Sequence, residues 1–344
     1  MEEISVIGVD LAKTVFELCA LSPSGERVWT RRLKRAQFIA FMAEQAPRCL
    51  IGMEACGGAH HWGRRFKAQG FSVKLMAPRA VKAYRAGPHK SDARDAQAIA
   101  EAASRAHVKA VSLKSEAAQA TQALARVRTR RLRQLVATAN QLRGLMLEFG
   151  LIAPKGRSRL MATVERLDAE GALPPAIRAL ALDLVAEIAR QSAALAQTTK
   201  TLQTQVAQDE NAALFLSIPC IGPINAAALS VALAAPSDFK DARAFAAQLG
   251  LVPRQNQSGE KDRRAGVVRQ TANDARANLV CAAQSLITQV ARLKHPPSDR
   301  FLAWVGRIAE RKHRNLAAVA IAAKLARIAY SVAASGTAYV ARAT

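Results

Sequence analysis

Apolar residues in the first hundred positions fall in short runs separated by helical periods. Residues 4–9 (ISVIGV) form a β-rich run that ends at Asp10. Residues 15–20 and 27–33 read as two further strands, with Pro23-Ser24-Gly25 as the turn between them. Residues 36–45 then take a helical period. Residues 49–53 make a short strand ending at Glu54, a helix follows near 59–69, residues 71–76 return to strand, and Pro78 starts another helix. A meander followed by alternating strands and helices predicts an α/β domain with a mixed sheet over residues 1–112.

Helical periods dominate from residue 89 onward. HKSDARDAQAIAEA, residues 89–102, places Asp92 and Asp95 in the first turn of a predicted helix. Positions i and i+3 share a face there, and the helix dipole favours negative charge. Ala96, Ala98, Ile99, Ala100 and Ala102 follow, all small or apolar, so this helix can press closely against a neighbour. Residues 115–150 hold no proline, and Leu124, Val127, Leu132, Leu135, Leu142 and Leu145 recur at helical steps. Pro154-Lys155-Gly156-Arg157 breaks that helix. Residues 176–217 lack Gly and Pro and predict one helix of more than about 50 Å. Its seam of Leu180, Leu182, Leu184, Ile188, Leu195 and Leu202 predicts a coiled-coil hairpin over 113–212, able to pair with itself or with a second copy. The fold class is thus α/β plus all-α. Residues 213–334 form a mainly helical C-terminal domain and 335–344 a frayed tail. No stretch is expected to reach the ~18 apolar residues of a membrane helix, and the first apolar run is too short for a signal peptide.

Charge narrows the function. Lys and Arg number 50 against 26 Asp and Glu, a formal charge of +24, which points to a polyanionic partner, nucleic acid first. Aromatic residues are only 5%, favouring phosphate contacts over base stacking. Arg126, Arg128, Arg130, Arg131 and Arg133, with almost no acids beside them, read as a phosphate-binding stripe, a solvated charged face being the plainer alternative. Arg307, Arg311, Lys312, His313 and Arg314 form a further basic face. The five scattered cysteines and six histidines show no ligand spacing, which argues against zinc and a disulfide framework and fits a reducing cytoplasm.

Against this basic background stand four acids: Asp10 and Glu54 at strand ends, Asp92 and Asp95 at a helix start. Clustered carboxylates repel one another unless a cation neutralises them. Oxygen-only ligands suit Mg²⁺ or Mn²⁺, and two such ions can clamp a phosphodiester. Further on, IPCIGPINAAAL, residues 218–229, resembles a helix-hairpin-helix motif whose usual PGIG core has Cys220 in place of its first glycine and keeps Gly222. Such a turn aims backbone N–H groups at a phosphate.

VIGVDLAK, MEACGG and KSDARDAQAIA, in this order and spacing, resemble the RuvC-like (RNase H-like) domain of the IS110-family transposases. The resemblance implies a metal-binding set of Asp10, Glu54, Asp92 and Asp95. Residues 239–280 resemble the transposase domain of the same family, whose AA-x-LGL-x-P-R-Q stretch leads through a Ser-Ser-Gly-Gly-Lys loop into a basic segment. Gln257 and Glu260 replace the first serine and the second glycine, leaving Ser258 as the serine that the resemblance makes the nucleophile. Arg254, Lys261, Arg263, Arg264 and Arg269 surround it and suit phosphate contacts. No histidine lies nearby, so activation would come from a metal or from carboxylates of the other domain. The resemblance further implies a phosphoserine intermediate and a composite site drawn from different subunits of a homodimer or tetramer. It also implies target and donor DNA as substrates, a bridge RNA as guide, and a bacterial cytoplasm, at the nucleoid, as location. Two alternatives stand beside it. A RuvC-type nuclease would cut by hydrolysis and keep its activity in Ser258→Ala; a non-catalytic scaffold would lose nothing in Asp10→Ala.

Overall fold

The computed structural model describes residues 3–45, 49–85, 91–258, 261–267, 274–295 and 297–343, with the backbone alone at 254–258 and 261–267. The chain divides into two compact units, Met1–Glu116 and Ala117–Thr344.

The first unit is built on a six-stranded mixed sheet. Along the chain come β1 (Val6–Asp10), β2 (Val15–Leu21), β3 (Arg27–Lys34), α1 (Arg35–Glu44), β4 (Leu50–Glu54), α2 (Ala59–Ala68), β5 (Ser72–Met76), α3 (Pro78–Lys82), α4 (Asp92–Ser104) and β6 (Ala110–Val111). The sheet order is β3-β2-β1-β4-β5-β6. The central strands β1, β4 and β5 run parallel, and β2, β3 and β6 are antiparallel to their neighbours. Period-two alternation sends Ile7, Val9, Phe16, Leu18, Ile51 and Met53 to one face, where they meet Phe38 and Met42 of α1 and Trp62 and Phe66 of α2. The opposite face carries Val6, Cys19 and Leu21 beneath Ala96, Ile99, Ala100 and Ala103 of α4.

The approach of α4 is set by two glycines. Gly8 and Gly52 lie opposite each other on β1 and β4. A Cβ at Gly8 would sit 2.4 Å from the backbone N of Ala100 and 2.4 Å from the carbonyl of Ala96; one at Gly52 would sit 2.5 Å from Cβ of Ala103. Missing side chains on the sheet therefore meet alanines on the helix, the close contact that the small residues of α4 predict.

Among the described residues the second unit is helical apart from one hairpin. Its elements are α5 (Glu116–Glu148), α6 (Arg157–Ala169), α7 (Pro175–Gln208), α8 (Glu210–Phe215), α9 (Pro223–Ala232), α10 (Ala242–Gln248), β7 (Pro253–Ser258), β8 (Lys261–Val267), α11 (Asp274–Val290), α12 (Arg300–Arg311) and α13 (Arg314–Ser335). α5 and α7 run antiparallel: Thr121 bonds Gln205, Arg128 bonds Thr199 and Gln191 bonds Thr138. Leu135, Leu142 and Met146 of α5 share a core with Leu160 and Val164 of α6 and with Leu184 and Ile188 of α7.

Four expectations change here. The helix predicted over 176–217 stops at Asp209, whose carboxylate caps α8 at Ala212 N (3.0 Å) and accepts a bond from Ser230 Oγ at 2.5 Å. The loop around Ser258 is a β-hairpin, with Ser258 opposite Lys261. The expected frayed tail folds back: Tyr339 OH donates to Asp299, Tyr339 N to Ser217 Oγ, and Arg300 N to the carbonyl of Arg342, each at 2.8 Å. Finally, α13 is long and apolar enough to cross a bilayer, against the expectation of no such stretch. Its apolar side serves the core, with Ala318, Ile321, Ala322, Leu325 and Ala329 buried in the cluster it shares with α8, α10 and α11.

Candidate active site

The sheet brings the first pair of acids together. Asp10 ends β1 and Glu54 ends the adjacent parallel strand β4, one residue past the paired Val9 and Met53. Alternation from Val6 and Gly8 puts Asp10 on the α4 face, and alternation from Gly52 does the same for Glu54. The second pair arrives with α4. Ser91 caps this helix by accepting from Arg94 N at 3.4 Å, and Asp92 and Asp95 occupy its first turn. Because Gly8 and Gly52 let α4 lie against the strands, one carboxylate oxygen each of Asp10, Asp92 and Asp95 falls within 4.8 Å of the others. Asp95 is buried, Asp10 half-buried and Asp92 exposed.

The electrostatics follow from that crowding. Burial, then repulsion from Asp95, Asp92 and Glu54, pushes Asp10 up to about 6, with Arg85 pulling the other way. Arg85 follows α3 and spans the cluster. Its Nε lies 3.0 Å from Asp95 Oδ1 and its Nη2 donates to Glu54 Oε1 at 3.2 Å. A fifth acid, Glu17, lies opposite Asp10 on β2, is raised by burial, and pairs with Arg32 at 3.2 Å. Sequence reading missed both residues. Glu17 had a signal, an acid inside an apolar strand; Arg85 had none, since only the fold turns it toward the acids.

His60 faces away from this cluster in its bonding, accepting from Lys114 N at 3.3 Å. Burial and the neighbouring cations Lys114 and Arg64 lower its pKa, which suits a neutral acceptor.

In the second unit the predicted arginine stripe splits. Arg128 Nε donates to Thr199 Oγ1 at 3.0 Å, and Arg131 donates to the carbonyl of Ala194 at 2.7 Å and to Thr198 Oγ1. Both are half-buried pins between α5 and α7. Arg126, Arg130 and Arg133, spaced four and three apart, form the exposed face. The turn between α8 and α9 holds Cys220 and Gly222. Cys220 sits at φ 61°, the sole left-handed non-glycine among the described residues, at the position where the motif usually has glycine. Gly222 caps α9 in extended backbone, and a Cβ there would meet open space. Ser258 ends β7, and the hairpin register sets Asn256 opposite Arg263, Gln255 opposite Arg264, and Arg254 opposite Ala265. Arg269 lies outside the described residues.

The sequence matches known proteins over nearly its whole length. Residues 7–150 match a family model described as a transposase, of the DEDD IS110 type, and residues 212–296 match the transposase IS116/IS110/IS902 family. A probable family 20 transposase of Pseudomonas aeruginosa is 38% identical over 98% of both chains. The transposase for insertion sequence element IS1111A of Coxiella burnetii is 34% identical over 96% of this chain and 90% of its own. The transposase for IS1328 of Yersinia enterocolitica is 34% identical over 98% of this chain and 99% of its own. With the acidic cluster on its mixed sheet and relatives covering nearly its whole length, the chain belongs to the IS110 family of insertion-sequence transposases, enzymes that act on DNA.

Proposed function

We propose that this transposase cuts and rejoins DNA through a phosphoserine intermediate, with the four carboxylates of the first unit and Ser258 of the second acting on the same phosphodiester. The observation that carries the reading is the convergence of Asp10, Asp92 and Asp95, with Arg85 linking Glu54 to Asp95. An all-oxygen donor set of crowded acids fits Mg²⁺ or Mn²⁺, held by Asp10, Glu54, Asp92 and Asp95. When bound, such an ion neutralises negative charge on the phosphate and on the departing oxygen.

In this reading Ser258 Oγ attacks phosphorus. The serine O–P bond forms as the P–O bond to a deoxyribose breaks; the serine proton leaves to a carboxylate or water, and the sugar oxygen is released as a hydroxyl. A hydroxyl of the second DNA strand then attacks the phosphoserine, which rejoins the backbone and returns the serine. Arg254, Lys261, Arg263, Arg264 and Arg269 hold the neighbouring phosphates. The strand order β3-β2-β1-β4-β5-β6 supports an RNase H-like reading of residues 1–112.

Guidance by a bridge RNA is part of the proposal. It is supported by the +24 charge, the few aromatics, and the exposed face of Arg126, Arg130 and Arg133. So is assembly into a dimer or tetramer through a coiled-coil region at 113–212. Leu147, Phe149, Ile152 and Leu180 are exposed at the end of the hairpin where α5 stops and α7 begins, the kind of apolar surface a second copy covers. The domain of residues 213–334 then carries the serine.

Covalent trapping tests the chemistry. The protein is incubated with Mg²⁺, its element's RNA and labelled donor DNA, and run on a denaturing gel. An adduct is expected in wild type and in neither Ser258→Ala nor Asp10→Ala. Cleavage without adduct that persists in Ser258→Ala would replace this reading with metal-dependent hydrolysis.

A further inference from the structure

A cavity of about 830 Å³ opens between α12, α13 and the folded-back C-terminal segment, outside the residues matched by either family model. Five cations line it: Arg300 and Arg307 from α12, Lys324 and Arg327 from α13, and Arg342 from the segment. The lining acid is Asp299, and it is already used. It is buried, caps α12 at Phe301 N (2.8 Å) and accepts from Tyr339 OH (2.8 Å). Among the described residues none of the five cations enters an ion pair. Burial, and after it the charges of Arg327 and Arg300, lowers Lys324 below its ordinary value.

The segment that closes this groove is held by specific bonds. Beside the Tyr339–Asp299 bond, Tyr339 N donates to Ser217 and Arg300 N to the carbonyl of Arg342. These bonds bring Arg342 to the same opening as Arg300 and Arg307. Five cations against the one lining acid, Asp299, leave the groove with an excess of positive charge that favours an anion from outside the chain.

We propose that this groove is a nucleic-acid site that grips a phosphodiester backbone through Arg300, Arg307, Lys324, Arg327 and Arg342. The opening is far larger than a single phosphate. Four of the five cations are arginines, whose planar forks match phosphate oxygens in pairs. An enzyme that acts on DNA meets that polymer in the ordinary course of its work, and the groove adds grip without base contacts.

The test compares the full chain with an Arg300→Gln/Arg307→Gln/Arg342→Gln variant. The control is Arg166→Gln/Arg178→Gln/Arg190→Gln, which removes the same charge from exposed positions of α6 and α7. Affinity for a 30-bp DNA duplex and for an RNA hairpin of equal length is measured across salt concentrations. The groove variant is expected to lose about three phosphate contacts, lowering the slope of log K against log salt by roughly 2 to 3 on at least one probe and weakening binding at least tenfold, with the control close to wild type. Loss on the duplex alone assigns DNA, loss on the hairpin alone assigns RNA, and loss on both assigns the shared backbone. A groove variant that matches the control on both probes overturns the proposal. If the variant does not fold, acetylation of Lys324 in the wild-type protein decides, with exposed Lys240 as reference. Bound nucleic acid should slow modification of Lys324 several-fold, and an unchanged rate overturns the proposal equally.

Discussion

Burial, and after it the neighbouring acids, raises the Asp10 carboxyl, and its protonation makes that penalty measurable. In the folded chain its pKa stands near 6, against 3.8 for a free side chain. A raised carboxyl binds its proton more tightly folded than unfolded, so stability falls as pH rises from about 4 to 6, and the penalty is complete above that window. Asp10→Asn removes it. In EDTA, the variant should gain on wild type in melting temperature between pH 4.5 and pH 7; a constant difference across that range would contradict the shift. Arg85 partly fills the role of a cation, and it competes with one. Arg85→Gln should melt lower than wild type in EDTA yet bind Mn²⁺ more tightly, by roughly tenfold, as read by calorimetric titration. Weaker Mn²⁺ binding would instead make Arg85 a support for the metal. The four acids were legible because an acid ending an apolar run, or opening an alanine-rich helix, breaks a pattern. Arg85 was not, because its partners are 31 residues back and ten residues ahead, and neither spacing belongs to a strand or a helix.

At the scale of elements, the site depends on how near α4 comes to β1 and β4. Gly8→Ala places a methyl 2.4 Å from two backbone atoms of α4, and backbone cannot rotate away. Helix or strand must shift, at a cost of about 1–3 kcal/mol or more. Asp92 and Asp95 would move with the helix, so Gly8→Ala should lose both melting temperature and Mn²⁺ affinity. Gly144→Ala on α5 is the matching control. A Cβ there meets open space, so the change should stabilise the protein or leave its stability unaltered. The elements that sequence reading found are those with strong periods, from the opening meander to α5 and α7. The hairpin β7–β8 was hidden because PRQNQS and KDRRAGV carry no apolar alternation. The stop at Asp209 was hidden because an aspartate is tolerated inside helices and becomes a cap only when Ala212 and Ser230 claim its carboxylate.

For the whole molecule, the acidic cluster falls in one unit and most of the lysines and arginines in the other. The clusters centred on Phe16, Phe38 and Ile99 belong to Met1–Glu116, and those centred on Leu142 and Ile321 belong to Ala117–Thr344. The acids that crowd together all lie in the first. A ligand stabilises only the cooperative unit that binds it in the folded state, by RT ln(1 + [L]/Kd), which is about 2.7 kcal/mol at a hundredfold excess over Kd. For a unit of 116 residues this amounts to a rise of roughly ten degrees. Calorimetry of the full chain should therefore show one transition that climbs with Mg²⁺ or Mn²⁺ and another that does not. Asp10→Asn should flatten the first while leaving the second in place. If both transitions climbed together, or if the responsive one survived in Asp10→Asn, the divalent ion would be binding elsewhere, and the acidic cluster would lose its claim to be the metal centre.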